Sequence, residues 1–560
     1  MRKIIVFIAC YLMAIPTMAI QVNAGGLRDL FDKNNLWNTD IVSISGSING
    51  SDVKVLREWM RDFRTLDLSE CKIVAGGDPY YENYTTEDDV IGSYMFGDRP
   101  VKKLVLPKTL KKIGNYAISF CGEEIDFPSS LTWVGDHAFT WNKFVKLHIP
   151  ATLTHIGNGA FNGNIALDQV TIDADNPEYL MDGQYLYTRD HTRLLAFFGP
   201  IASRSDSFTI LPQVKIIDDK AFNYHRTNQI VLNYGLEYIG EEAFKLAVSN
   251  GPSQQELVIP NSVTYIGAGA FTEANISSVI ISDSVERLGD YAFAGCGVFY
   301  IHLPSKLKHL GQKALLNNPV FNLELPNGLE FIGKLALGST RKQHLVIPQS
   351  VKTIEEQAFS YALTDTFDIQ ALLDSIPKRA FEGCQSVRQV ILPPTIKKIG
   401  ESAFSNCREM EDCKLPEGLE EIGEWAFADC RHMMEWHIPS TVCKIEQGAF
   451  SGDNMWGKVY IYAKEPPAET HEWAFRSWKM GESVLFVPTG CLEKYRHVAP
   501  WSDFGSIREF EPTSVNELSY QEKGQNVFIY NLSGQRITSA TRGLQIIITP
   551  DGMTKKVVVR

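Results

Sequence analysis

The stretch Leu415-Pro416-Glu417-Gly418-Leu419-Glu420-Glu421-Ile422-Gly423-Glu424-Trp425-Ala426-Phe427-Ala428-Asp429-Cys430 decides the fold. Its order is an apolar residue and a proline, a leucine, Ile-Gly, Ala-Phe and finally a small polarisable residue. The same order recurs along most of the chain. Ala-Phe pairs begin at Ala138, Ala160, Ala221, Ala243, Ala270, Ala292, Ala358, Ala380, Ala403, Ala426, Ala449 and Ala474, and Ala117-Ile118, Ala314-Leu315 and Ala336-Leu337 keep the phase. From Ala270 to Ala380 successive alanines stand 22 residues apart, after which the step lengthens to 23. Self-similarity at a fixed period of this length is the signature of a stacked repeat array with one structural unit per period.

Each part of the unit has a physical reading. The three residues before the proline alternate inward, outward, inward, as in Leu104-Val105-Leu106, Leu147-His148-Ile149, Ile301-His302-Leu303, Leu323-Glu324-Leu325 and Trp436-His437-Ile438. Period-two alternation predicts one short half-buried strand per unit. Proline then ends it, since it has no N–H for a ladder. The glycine three residues before each alanine marks a tight or positive-φ turn. Alanine and phenylalanine are expected to fill the interior.

This pattern, in 15 phased copies from about Val101 to Phe475, resembles the BspA-type leucine-rich repeat of bacterial surface proteins. The resemblance implies a repeat solenoid with end caps. Ile48-Asn49-Gly50 and Leu66-Asp67-Leu68-Ser69 are similar to the N-terminal cap of that family. Val487-Pro488, Lys494-Tyr495 and Trp501-Ser502-Asp503-Phe504 resemble its closing unit. Caps are needed because the end coils would otherwise expose an apolar face. The expected organisation is a signal peptide over 1–24, a capping region over 25–100, the solenoid over 101–511 and a small β-module over 512–560.

The leader reading rests on Arg2 and Lys3, the apolar run Ile4 to Ile15, and small residues at Val22 and Ala24, with cleavage after Ala24 and Ala19 as the competing site. Cys10 lies inside the run and reads as part of it. No later stretch reaches the roughly 20 apolar residues of a membrane span.

Between Ala160 and Ala221 the chain holds 61 residues where two units take about 44. An insertion at about 173–207 is therefore expected to protrude, with a β-hairpin around Asp190-His191-Thr192. Ser249-Asn250-Gly251-Pro252-Ser253 reads as a second surface loop. After Pro512 the spacing stops. Val527-Phe528-Ile529-Tyr530, Leu544-Gln545-Ile546-Ile547-Ile548 and Val557-Val558-Val559 read as three strands, the last two joined by a turn at Asp551-Gly552. This end resembles C-terminal sorting tails of secreted bacterial proteins and equally suits a structural cap.

Candidate chemistry dissolves into the repeat. Cys121, Cys296, Cys384, Cys407 and Cys430 stand four residues after the repeat alanine, a slot that elsewhere holds Asn142, Asn164, Asn318, Thr340 or Asp453. The shared slot predicts a buried structural ladder that bonds backbone left unpaired by an irregular turn. Nine cysteines remain after leader removal, an odd number that rules out a complete intrachain disulfide set.

The group Cys430, His432, Glu435 and His437 has the residue types of a zinc site. Its phase sends Cys430 inward and His437 outward, against the convergence that tetrahedral ligation needs. No metal or other cofactor is expected. The acid pairs Glu241-Glu242, Glu355-Glu356 and Glu420-Glu421 recur beside the Ile-Gly turn as a solvated rim. There is no G-x-S-x-G, phosphate loop or H-E-x-x-H pattern, and Gly267-Ala268-Gly269 belongs to a repeat turn. No catalytic residue is assigned.

A net charge of -12 argues against nucleic acid. What remains is the outward column of the strands, with His148, Val258, His302, Glu324, Val346, Ile391, Lys414 and His437 as the candidate binding face. Val105 and Asp126 lie in the same column. The family resemblance implies adhesion to a host or bacterial protein at the cell surface or after secretion. A carbohydrate ligand is the rival, and it requires Trp133, Trp141 and Trp436 to surface together. An enzyme built on the array is a further alternative.

Overall fold

The computed structural model describes residues 19–61, 64–199, 207–224, 229–247, 256–452, 457–476 and 480–512, and beyond them only the backbone strands Phe528–Tyr530, Arg536–Ile537, Gly543–Ile548 and Thr554–Val559. The apolar leader run with Cys10, the loop at 249–253, Asp453 and the turn at Asp551-Gly552 lie outside the described residues.

The repeat winds as a β-solenoid in which every ladder between coils is parallel. Two strands, not the single one expected, form in most coils. The first is the predicted one before the proline, as in His344–Ile347, Thr366–Ile369 and Gln389–Ile391, paired side by side. The second is the pair that ends in the isoleucine before the glycine. Ser375–Ile376, Lys398–Ile399, Glu421–Ile422 and Lys444–Ile445 stack in register, with Ile376, Ile399, Ile422 and Ile445 opposite one another. A two-residue strand is too short for alternation to reveal it, and only the neighbouring coil makes it a strand.

The glycine of the Ile-Gly pair takes the tight alternative, not the positive-φ one. At Gly157 an added Cβ would lie 2.5 Å from the backbone N of Asp136 in the preceding coil, so a side chain there would push the coils apart. Left-handed backbone falls instead on the residue before the repeat alanine and the third residue after it. His137 and Trp141 have φ of 54° and 59°, and Trp425 and Asp429 have 55° and 58°. These positions are held because the corner is hydrogen-bonded from coil to coil. The N–H groups of Ser402, Phe404 and Asn406 donate to the carbonyls of Glu424, Ala426 and Ala428 at 2.7–2.8 Å.

Inside, the phenylalanines stack along the solenoid axis. Phe359, Phe381, Phe404, Phe427, Phe450 and Phe475 follow one another at 5.0–5.6 Å with planes within 9° of parallel. Phe222, Phe244, Phe271 and Phe293 form the same column upstream, and Leu315 and Leu337 bridge the two runs from buried positions.

Residues 173–199 of the insertion do not protrude. Tyr179–Asp182, Tyr185–Thr188 and Arg193–Phe197 form an antiparallel unit whose last strand pairs in parallel with Ile216–Ile217 of the second sheet. Tyr187 and Leu194 join the core that continues toward the C-terminus, whereas Leu186 and Leu195 join the N-terminal core. The unit is thus an apolar wall within the stack, and its Phe198 and Phe197 continue the ring contacts from Phe161 to Phe222. Asn176 is fully buried. Its side-chain amide donates to the carbonyls of Pro150 and Leu153, and its Oδ1 accepts from the N–H of Glu178 and Tyr179.

At the N-terminal end the helix Gly50–Trp59 opens on an Asn49 capping box and buries Trp59 beside Phe31. At the other end Leu492–Arg496 and the turn Trp501–Asp503 bury Tyr495 and Trp501 under the last coil, and the Tyr495 hydroxyl donates to the Ala463 carbonyl at 2.8 Å. The far C-terminal strands make one antiparallel sheet, in which Arg536–Ile537 is a fourth member beside the three expected.

Candidate binding face

The inward residues of the first sheet are apolar and sealed, so the next residue along each strand must point to water. Leu257, Val279 and Ile301 are buried side by side, and Val258, Ile280 and His302 stand opposite one another on the outer surface. Of the sequence-derived column, His148, Val258, His302, Glu324, Ile391 and Lys414 are exposed, whereas Val346 and His437 are half-buried.

Their neighbours differ. His148 contacts Thr171 Oγ1 at 2.9 Å and Asp173 Oδ1 at 3.1 Å. Glu324 reaches Lys342 at 3.9 Å. His437 stacks on Tyr460 at 4.7 Å and meets the Tyr462 hydroxyl at 3.1 Å. Burial holds His437 below the usual histidine range, although the carboxylate of Glu435 opposes the shift.

The sequence reading missed Val231 and Ile280, which fill the same row but belong to units without the proline that marked the others. A better signal was available, because twelve residues before a repeat alanine stand Val231, Val258, Ile280, His302, Glu324 and Ile391 alike. With these two included, Val231, Val258 and Ile280 make three successive apolar positions, 37%, 47% and 39% exposed. Tyr300 stands beside them at 56% exposed, and Phe299 and Phe321 stack on each other at 6.1 Å. Further along the first sheet a polar groove of about 750 Å³ is lined by His344, Asp365, Thr366, Arg388, Gln389 and Ile391, among others.

The slot four residues after the alanine lies at the other side of the coil, inside the stack. Asn142 shows what it does. Its Nδ2 donates to the carbonyls of Ile118 and Phe139 at 2.7 and 2.9 Å, and its Oδ1 accepts from the N–H of Cys121 and Gly122. Asn318 repeats the donation to Phe293 and Leu315. Cysteine supplies half of this arrangement. The thiols of Cys296, Cys384, Cys407 and Cys430 donate to the carbonyls of Phe271, Phe359, Phe381 and Phe404 at 2.7–3.4 Å. All five ladder cysteines are buried and unpaired, and burial pushes the thiols of Cys121, Cys296 and Cys384 up to about 12.

The imagined zinc group does not converge, since the Cys430 thiol faces the core, His432 meets the Arg408 carbonyl, and only His437 and Glu435 stay near each other, at 3.9 Å. Among the described residues no group of three or more metal-ligating side chains converges. The acid pairs serve ion pairs within and between coils. Glu242 binds Lys245 and Lys220, Glu356 binds Lys334, and Glu421 binds Lys398 and Lys444.

Trp436 is 2% exposed between Phe427 and Phe450, so the three tryptophans do not share a surface. Along the outer row of the second sheet the rings pair with one another. Trp133 stacks on His155, Tyr238 on Tyr265 and His309 on Phe331, at 4.3–4.8 Å and within 13° of parallel. Each such stack covers one face of each of its rings. Among the described residues no helix is long and apolar enough to cross a membrane.

The BspA type leucine rich repeat region matches this chain in 6 copies, over residues 89–183, 201–250, 247–364 and 361–475. Comparison with curated proteins gives no match. Among solved structures the chain is similar to a leucine-rich repeat protein of Bacteroides ovatus, with 24% identity, 69% of this chain and 91% of that one covered, and a TM-score of 0.41. It is also similar to one of Eubacterium ventriosum, with 18% identity, 70% and 90% covered, and a TM-score of 0.36. A leucine rich cell surface protein of Faecalibacterium prausnitzii matches with 21% identity, 60% and 86% covered, and a TM-score of 0.32. With the repeat matched over more than half of its length, the chain belongs to the BspA-type leucine-rich repeat family.

Proposed function

We propose that this is an exported, non-catalytic protein of the bacterial surface or its secretions, which binds a host or bacterial protein along the outer face of the first sheet. The observation that carries this reading is the exposed row Val231, Val258 and Ile280 with Tyr300, Phe299 and Phe321 beside it. Contiguous apolar surface rimmed by polar groups marks a site of protein contact, because burying it against a partner gains free energy that water denies it. His302 and Glu324 supply the polar edge, and the groove of His344 and Arg388 extends it along the same sheet. An interface of this kind concentrates its affinity in the apolar centre and takes specificity from the rim.

The chain with its leader removed, used as bait against host matrix proteins and bacterial glycans in separate arms, tests the reading. Capture of a protein that is lost in the double variant Val258→Glu, Ile280→Glu, with melting unchanged, is the expected result. Capture of glycans alone, or protein capture that survives the double variant, would overturn it.

A further inference from the structure

The strand Ile20–Val22 is placed where the expected leader cleavage would remove it. It pairs in parallel with Ile41–Ile48, setting Ile20 opposite Ile44 and Val22 opposite Gly46, and so forms the first edge of the first sheet. Val22 is 1% exposed and packs into the N-terminal core. The neighbouring strand is shaped to receive it. Gly46 has φ of +90°, and a Cβ there would lie 2.2 Å from the Val22 carbonyl oxygen, so only glycine admits the strand at this distance. The Ser45 hydroxyl donates to Gln21 Oε1 at 3.0 Å.

One contact favours the other cleavage point. The Gly25 N stands 2.6 Å from Asp52 Oδ2, and a new ammonium there would meet a carboxylate. Asp52 needs no such cation, however, because its two oxygens already accept from the backbone N–H of Gly25, Leu27 and Asn49. A cut after Ala24 would add one charge to a satisfied group. It would also strip Val22 from the core and unpair Ile44–Gly46, moving the open edge of the sheet from a three-residue strand to the eight-residue strand Ile41–Ile48. Thr17-Met18-Ala19 offers a small residue at the cleavage position and another two before it, and Ala19 is exposed.

We infer that a signal peptidase cuts between Ala19 and Ile20, so that the mature chain starts as the edge strand of the first sheet. Water adds across the Ala19–Ile20 amide, leaving a carboxylate on Ala19 and an ammonium on Ile20. The inference rests on the export reading above, and one experiment separates the two. The full-length chain is exported from a bacterial host under its own leader, and the secreted material is sequenced from its N-terminus. A first residue of Ile20 is expected. A first residue of Gly25 overturns the inference and leaves export standing, whereas intact Met1 overturns export itself.

Two variants give an independent reading. Ala19→Trp should block processing, and Ala24→Trp should leave Ile20 as the first residue, with the reverse pattern overturning the inference. Finally, purified chains beginning at Ile20 and at Gly25 are compared by amide hydrogen exchange. Residues 44–46 should exchange at least about tenfold faster in the shorter chain, and equal rates would show that the strand is not held.

Discussion

Leu194 and Leu195 are consecutive residues of one strand that face two different hydrophobic cores. The insertion that carries them is a wall with apolar side chains on both faces, which is why its sequence shows apolar residues in immediate succession. Replacing residues 175–205 by a short linker should therefore unfold the coils on both sides, not trim a loop. Leu194→Ala alone should cost about 2–5 kcal/mol, as for other buried leucines. Denaturant unfolding of the deletion and the point variant checks this, and a deletion that melts like the parent would contradict the wall.

Phe404 lies in the ring column, 5.2 Å from Phe381 and 5.3 Å from Phe427, with no exposed surface. Phe404→Ala should cost roughly 3–5 kcal/mol, since a truncated ring leaves a cavity between two fixed coils. Lys414→Ala, on the outer face, should change stability by less than about 0.5 kcal/mol. Equal urea midpoints for the two variants would refute the assigned phase.

Native protein treated with a thiol-alkylating reagent should be labelled at Cys443, the exposed cysteine among the described residues, while Cys384, Cys407 and Cys430 react only after denaturation. The sign of the pH effect follows from burial. The Cys384 thiol titrates near 9 in an unfolded chain and at about 12 in the folded one, so its stabilising contribution is complete below pH 9 and is lost as pH rises toward 12. Melting should therefore fall in this alkaline range. Replacing Cys384 by Ser should reduce the slope, and an unchanged slope would place the effect elsewhere.

Arg193 and Asp218 join the wall to the next coil through an Nε–Oδ1 contact of 2.5 Å, with the Asp218 side chain 2% exposed. Burial raises the Asp218 carboxyl to about 6, against the pull of Arg193. Arg193→Met should destabilise by about 1–3 kcal/mol at pH 7, below the cost of breaking a fully buried pair, because Arg193 is 39% exposed. A folded-state value above the unfolded one means that the protonated acid is the better tolerated form. The variant should thus recover stability as pH falls from 7 toward 4, and melting curves at those two values decide it.

The period, the coil length, the first strand and the Ala-Phe core were legible in residues 101–511, because each depends on a residue type recurring at one phase. Burial of Phe404 and exposure of His302 followed from that phase alone. The structure added what depends on the neighbouring coil. Glu421–Ile422 is a strand only because Lys398–Ile399 lies alongside, and Gly157 is glycine because of the backbone of Asp136, not its own dihedral angle. Val231 and Ile280 escaped notice because their coils lack the marking proline, yet they complete the apolar row on which the proposed function rests. The insertion misled for a related reason. Extra length in a repeat normally leaves the stack as a loop, and only the packing of Leu186, Tyr187, Leu194 and Leu195 decided that this segment stays inside it. Sequence periodicity records what one coil requires of itself; contacts between coils are made by residues about 22 apart or more, and tertiary structure alone brings those together.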